Sequence, residues 1–334
     1  MKKLTRIAFD KYTARLAQLN DTSNVASTFG VAPSVQQKLE SKIQESSEFL
    51  SKINIYGVTE QEGEKIGLGI SGPVASRTNT DKADRKTRDL TALDNRGYRC
   101  EKTNFDTHIK YQTLDAWAKF PDFQQRVANA ILQRQALDRM MIGFNGLSIA
   151  ADTDINKNPL LQDVNKGWLQ QYREQAPQRV MHEGKTAGKV VIGAGGDYAN
   201  LDATVFDALT LLDPWYQKDA GLVAIVGRNL LHDKYFPLVN TKQAPTETLA
   251  TDIVISQKRI GGLQAVAVPF FPDNTILITR FDNLSIYWQE SARRRRVVDE
   301  AKRDRIENYE SSNDAYVIED LGLGAVIENI HLAD

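Results

Sequence analysis

The stretch Thr113-Leu114-Asp115-Ala116-Trp117, continuing through Pro121-Asp122-Phe123-Gln124 to Phe144, decides the fold. Apolar residues recur at Phe123, Val127, Ala130, Ile131, Leu137 and Met141, close to the spacing of one helix face. Pro121 and Asp122 suit a first turn, and Gly143 and Gly146 suit a stop. Unbroken from Asp122 to Ile142, the helix is a rod of about 30 Å, at roughly 1.5 Å per residue. A rod of that length crosses a whole domain.

Working outward toward the N-terminus, Asn104 to Tyr111 reads as a strand, with Phe105, Thr107, Ile109 and Tyr111 on one face. Residues 59–102 read as a long hairpin or flap. Gly63, Gly67, Gly69 and Gly72 punctuate it, and the run from Ser76 to Asn95 has little to bury. An insertion of this length inside a compact domain is uncommon unless functional. Before it, Val35 to about Leu50 predicts a helix with Ser34 as N-cap, and Ile53 to Val58 an extended piece. Residues 20–34 are small and polar, an exposed linker open to proteases. Residues 1–20 predict an amphipathic helix with Leu4, Ala8, Tyr12, Leu16 and Leu19 on one face. Five basic residues against Asp10 make it either a solvated terminal helix or a docking peptide for an acidic partner.

Beyond the rod come an irregular connector with a short helix from Asp163 to Arg173, then a Gly-rich turn over 184–196. A helix follows from 198 to Pro214, then a buried strand from Leu222 to Val226 and a helix from Arg228. After that, strand signals dominate: 253–255, 263–268, 275–279, 284–288, 315–319 and 324–330. The class is α+β.

The chain has 334 residues, 41% hydrophobic and 25% charged, an ordinary globular composition with room for about two domains. Its net charge of -1 gives no global signal for nucleic acid or an anionic membrane. Cys100 stands alone, which excludes an intramolecular disulfide and an all-cysteine metal site; it reads as a small semi-buried hydrophobe in a reducing compartment. The longest apolar run, Leu222 to Val226, is too short to span a bilayer, and Met1-Lys2-Lys3 lacks a following hydrophobic region. The expectation is a cytoplasmic, non-membrane protein.

The motifs that resemble chemistry each lack a required part. Gly67-Leu68-Gly69-Ile70-Ser71-Gly72 spells a dinucleotide fingerprint, but Pro73 and polar coil follow where a helix is needed. Gly184-Lys185-Thr186 lacks the first glycine of a phosphate loop, since Arg179 stands there. Gly193-Ala194-Gly195-Gly196 reads as a plain turn before it reads as an anion site. Asp152-Thr153-Asp154-Ile155-Asn156 lacks the turn glycine of a calcium loop. His108, His182, His232 and His331 are dispersed, without ligand spacing. The sequence therefore names no catalytic, cofactor or metal residue.

Arg293-Arg294-Arg295-Arg296 is the strongest charge run. Residues 290–310 carry seven basic and six acidic side chains, a balance favouring a salt-bridged subunit contact or a solvated face over tight nucleic-acid binding. The run is the candidate inter-subunit cluster, and a nucleic-acid-binding protein using it is the alternative reading.

Long ordered blocks resemble a known family. They include Gln44-Glu45-Ser46-Ser47-Glu48-Phe49-Leu50, Thr113-Leu114-Asp115-Ala116-Trp117-Ala118, Gly167-Trp168-Leu169-Gln170, Asp233-Lys234-Tyr235-Phe236-Pro237, Ile255-Ser256-Gln257-Lys258-Arg259 and Glu307-Asn308-Tyr309-Glu310-Ser311. Together they resemble the major capsid proteins of Peduovirus-type (P2-like) tailed bacteriophages, over about residues 1–330. The resemblance implies an HK97-like capsid fold and a subunit that self-assembles, as hexamers and pentamers, into an icosahedral head shell around double-stranded DNA. It implies an N-terminal assembly segment over 1–29, an N-arm over 30–58 and an E-loop over 59–111. A peripheral domain with a spine helix covers 112–184, an axial domain 185–285, and the rest of the peripheral domain 286–334. It further implies cleavage by an internal scaffold-protease near Phe29-Gly30, a portal protein as partner, assembly in the host cytoplasm and residence in the virion. No cofactor is implied.

Overall fold

The computed structural model describes residues 1–65, 75–82, 84–87, 97–120, 122–232, 234 and 258–333. The helices are α1 (Lys3–Leu19), α2 (Pro33–Glu45), α3 (Tyr111–Trp117), α4 (Phe123–Asn145), α5 (Trp168–Gln175) and α6 (Leu201–Ala208). The fingerprint-like glycines 67–72, most of the flap and the strand expected at 253–255 lie outside the described residues.

The rod is present as α4, 23 residues long, but α3 is a separate helix before it. Bonds spanning three residues, from Phe120 N to Trp117 O and from Phe123 N to Phe120 O, mark the break. Pro121 accounts for it in sequence terms, because a proline disfavours helical backbone at the residue before it. The expected apolar face holds at Phe123, Val127, Ile131 and Met141, while Ala130 is exposed. From Arg139 to Phe144 every residue is buried, so the far end of the rod runs through the interior and not along one of its sides.

Two sheets organise the chain. In the larger, the 14-residue strand Arg305–Ile318 is central. Leu284–Gln289 and Arg294–Glu300 follow one another along one of its edges, both antiparallel. Glu101–Asn104 and Thr107–Lys110 line the opposite edge, with Phe105 and the expected alternation intact. Phe29–Gly30 and Asn54–Val58 complete the sheet. Over 290–310, expected as a salt-bridged subunit contact or a solvated face, the strands 294–300 and 305–318 take several charged residues into the subunit's interior. Burial alternates only over 294–297, and 305–318 is buried along nearly its whole length, with arginines and carboxylates at positions that apolar residues usually hold.

The smaller sheet runs 259–260, 263–266, 223–226, 276–279, 325–327, 180–181. Val223–Val226, Ile276–Thr279 and Ala325–Ile327 are buried throughout, as strands covered on both faces are. One face shares a core with the larger sheet, where Ile225, Leu277 and Val326 meet Ile286, Tyr316, Phe144 and Trp168. The other packs Ala224, Val226 and Ile278 against Val205 and Ala208 of α6. The tail of the segment 286–334, expected in the peripheral domain, does not stay with the larger sheet. Ala325–Ile327 joins the smaller sheet, and Ile330–Leu332 pairs in parallel with Val190–Ile192.

At the centre of the shared core, Gly143 of α4 lies against Trp168 of α5. A Cβ on Gly143 would sit 2.3 Å from the indole ring. The indole N–H donates to Ser285 O at 3.1 Å, which ties the helix pair to the sheet. The short helix begins at Trp168, later than the expected Asp163. Asp163 instead accepts from Asp154 N at 2.8 Å and from Asn158 Nδ2 at 2.9 Å, closing the 154–163 loop.

Candidate functional site

Between Gln289 and Arg294 the edge chain leaves the ladder and rejoins it. Ser291 turns left-handed (φ 62°). The fully buried Gln36 of α2 holds the excursion, donating to Gln289 O at 3.1 Å and accepting from Ser291 N at 3.0 Å. The excursion drives Arg293 inward. Its Nη1 lies 2.6 Å from Glu40 Oε1 of α2, its Nε 2.7 Å from Glu310 Oε1, and its Nη2 2.7 Å from Gln135 Oε1 of α4.

Arg139 of α4 completes the set. Its Nε donates to Asp314 Oδ2 at 2.9 Å, and its remaining nitrogens bond Glu40 and the second Asp314 oxygen. Arg295, also buried, reaches Asn308 Oδ1 at 2.7 Å and Tyr12 Oη of α1 at 2.8 Å. In this cluster three buried arginines thus meet three buried carboxylates, Glu40, Glu310 and Asp314, so its formal charges balance. Burial alone would raise the Glu310 carboxyl, but Arg293 and Arg295 outweigh it and hold it at about 2. Burial likewise opposes the Arg139 charge; Asp314 and Glu40 outweigh it and raise its pKa above the ordinary arginine value.

The arginine run therefore divides. Arg293 and Arg295 are inside the subunit, whereas Arg294 and Arg296 are exposed. Arg296 Nε donates to Ala26 O at 2.7 Å. Arg294 faces a cleft of about 580 Å³ lined also by Lys102, Glu290 and Asn313. The nucleic-acid reading of the run is not supported, because two of its four charges are already paired in the interior. Glu40, Gln135, Arg139, Glu310 and Asp314 were missed from sequence. The signal was there: Gln36, Glu40 and Ile43 share one face of α2, and Gln135, Arg139 and Ile142 one face of α4, polar residues at core spacing.

The candidate junction Phe29–Gly30 is not in an exposed linker. It is an edge strand paired with Arg294–Arg295, and Phe29 is buried under α1 and α4 with Val25. Gly30 is exposed. At the base of the flap, Glu62–Gly63 pairs with Tyr98–Arg99, so the ends of the intervening segment are held together.

The weak motifs are occupied by the chain's own backbone. The Gly193–Gly196 turn closes on Tyr198 O, and Asp197 beside it accepts from Lys185 N at 2.7 Å and Val191 N at 2.8 Å, a carboxylate where an anion would have to sit. All four histidines are exposed. Among the described residues no cluster of His, Cys, Asp and Glu could hold a metal ion, and no helix is long and apolar enough to cross a membrane. Cys100 is fully buried, and burial pushes its thiol up to about 12.

Comparison with known proteins places this architecture. The family described as phage major capsid protein, P2 family, matches residues 8–330. The capsid protein of Escherichia phage P2 is 50% identical over 344 residues, covering 100% of this chain and 96% of that one. The major capsid protein of Serratia phage KSP20 is 42% identical, covering 100% of this chain and 98% of that one. Among solved structures, a chain of the satellite phage P4 procapsid including the size determination (Sid) protein superimposes with a TM-score of 0.83. It shares 48% identity, with coverage of 100% and 99%. The chain belongs to the P2 family of phage major capsid proteins: it has the HK97-like capsid fold and is a subunit of the phage head shell, built from many copies.

Proposed function

We propose that the subunit forms the hexamers and pentamers of an icosahedral head shell without catalytic chemistry of its own, assembling in the host cytoplasm on an internal scaffold-protease. The shell joins a portal protein and encloses double-stranded DNA without reading its sequence. The observation that carries this reading is the paired base of residues 64–97. Glu62–Gly63 and Tyr98–Arg99 bring together the two ends of a stretch whose sequence is polar and poor in apolar residues, as the base of an E-loop would. The larger sheet with α4 acts as the peripheral domain and the smaller sheet with α6 as the axial domain. Exposed Arg294 and Arg296 are the part of the arginine run left for a neighbour.

The scaffold-protease cuts near Phe29–Gly30 during maturation. Because Phe29 is buried and paired, the edge must peel before that bond can enter a protease. The test is co-expression with the scaffold-protease, read by negative-stain microscopy and by mass spectrometry of the shell protein. Closed shells containing a chain shortened near residue 30 are expected. Small soluble oligomers overturn the assembly reading, and closed shells of uncut chain overturn the cleavage reading.

A further inference from the structure

An apolar cleft runs between α3, α4 and the strands 294–300 and 305–318. Leu114, Phe123, Val127, Ile131, Val297 and Ile306 line it. Its occupant is the chain's own N-terminal segment. α1 inserts Thr5, Phe9, Tyr12 and Leu16, the i, i+4, i+7, i+11 spacing of a helix seated in a groove. Val25 and Phe29 fill the far end, and only about 20 Å³ of space remains beneath the helix.

The segment's polar anchors also lie on the body. Lys2 N donates to Asp115 Oδ1 at 2.9 Å, Arg6 Nη1 to Asp299 Oδ2 at 2.5 Å, and Arg295 Nη2 to Tyr12 Oη at 2.8 Å. Val297 N donates to Val25 O at 2.8 Å and Arg296 Nε to Ala26 O at 2.7 Å. The anchors are thus spread along the whole segment. By itself α1 has 17 residues and no side-chain N-cap bond, and a helix of that kind is marginal in water. The cleft orders the segment as a receptor orders a peptide.

We propose that this cleft is a binding site for an amphipathic helix, which holds residues 1–29 non-covalently once the chain is cut. A break between residues 20 and 30 then severs the segment without releasing it. The first statement stands on the contacts; only its place in maturation rests on the proposed scaffold-protease cut. Hydrolysis adds one water and leaves a carboxylate on the segment and an ammonium on the body. The severed helix stays as a cover over Val127 and Ile131.

The experiment uses the full chain with a short sequence recognised by a site-specific protease inserted between Ser23 and Asn24, both exposed. This cut does not use the natural bond, so its outcome is independent of whether maturation cleaves near Phe29. After cutting, size exclusion at micromolar concentration with mass spectrometry of the peak reads retention. The N-terminal fragment is expected to co-elute with the body. In Tyr12→Phe, which keeps the ring and removes the hydroxyl facing buried Arg295, fragment dissociation is expected to quicken about tenfold. Elution of the fragment apart from the wild-type body, whether that body stays folded or aggregates, overturns the proposal.

Discussion

Glu40 illustrates how single residues decide this subunit. Its carboxylate accepts from both Arg139 and Arg293, so one side chain of α2 joins α4 to the edge excursion. Buried ion pairs gain little over apolar packing, but removing one member strands the others, typically at about 3–5 kcal/mol. Glu310 turns this into a pH dependence. Its folded pKa of about 2 lies below the ordinary glutamate value of about 4.3. A depressed folded pKa gives stabilisation that is present above the unfolded value and lost as pH falls through the folded one. On the order of 3 kcal/mol should therefore disappear between about pH 4.3 and pH 2. Urea unfolding across that window should fall steeply for the natural chain. Glu310→Gln should be less stable at neutral pH and fall less steeply across it, since other carboxylates, Asp299 and Glu174 among them, are also held low; an acid limb parallel to that of the natural chain would assign the loss to those other carboxylates.

At the scale of elements, the crossing of α4 and α5 has no slack. Gly143→Ala places a methyl on the Trp168 ring, and overpacking of this kind costs about 1–3 kcal/mol. A lowered thermal midpoint with unchanged secondary structure is expected; an unchanged midpoint would mean that the helices can separate freely. The rod and the alternation over 104–111 were legible because apolar residues marked periods of 3.6 and 2, although that stretch is split between the strands Glu101–Asn104 and Thr107–Lys110 and Tyr111 opens α3. The hairpin 294–318 was not. Its inward positions include Arg295, Asn308, Glu310, Ser312 and Asp314, whose burial is supported by mutual hydrogen bonds and charge pairing, which a hydrophobic pattern does not register. Phe29 misled for the opposite reason. A polar neighbourhood suggested linker, while Val25, Phe29 and Val31 were the residues the core took up.

For the whole molecule, the two sheets share one core, and the chain on either side of the flap pairs at Glu62–Gly63 and Tyr98–Arg99. Deleting residues 77–96 should therefore leave the subunit's unfolding free energy within about 0.5 kcal/mol of the natural chain, as changes away from packed features do. The same deletion should reduce the yield of closed shells by microscopy. Loss of the folded subunit would place that segment in the core instead. The family and fold were legible from long sequence blocks. The candidate surfaces were legible only in part, because sequence spacing cannot tell which of four consecutive arginines turn inward.

The central strand 305–318 has a mechanical consequence. Interstrand hydrogen bonds in antiparallel pairs lie across the strand direction. A pull along this strand must shear the ladders to 284–289, 294–300, 101–104 and 107–110 together. A pull on Phe29–Gly30 opens a two-residue pair one bond after another. The subunit thus has a stiff axis and a tear line, and the tear line runs through the bond proposed for cutting.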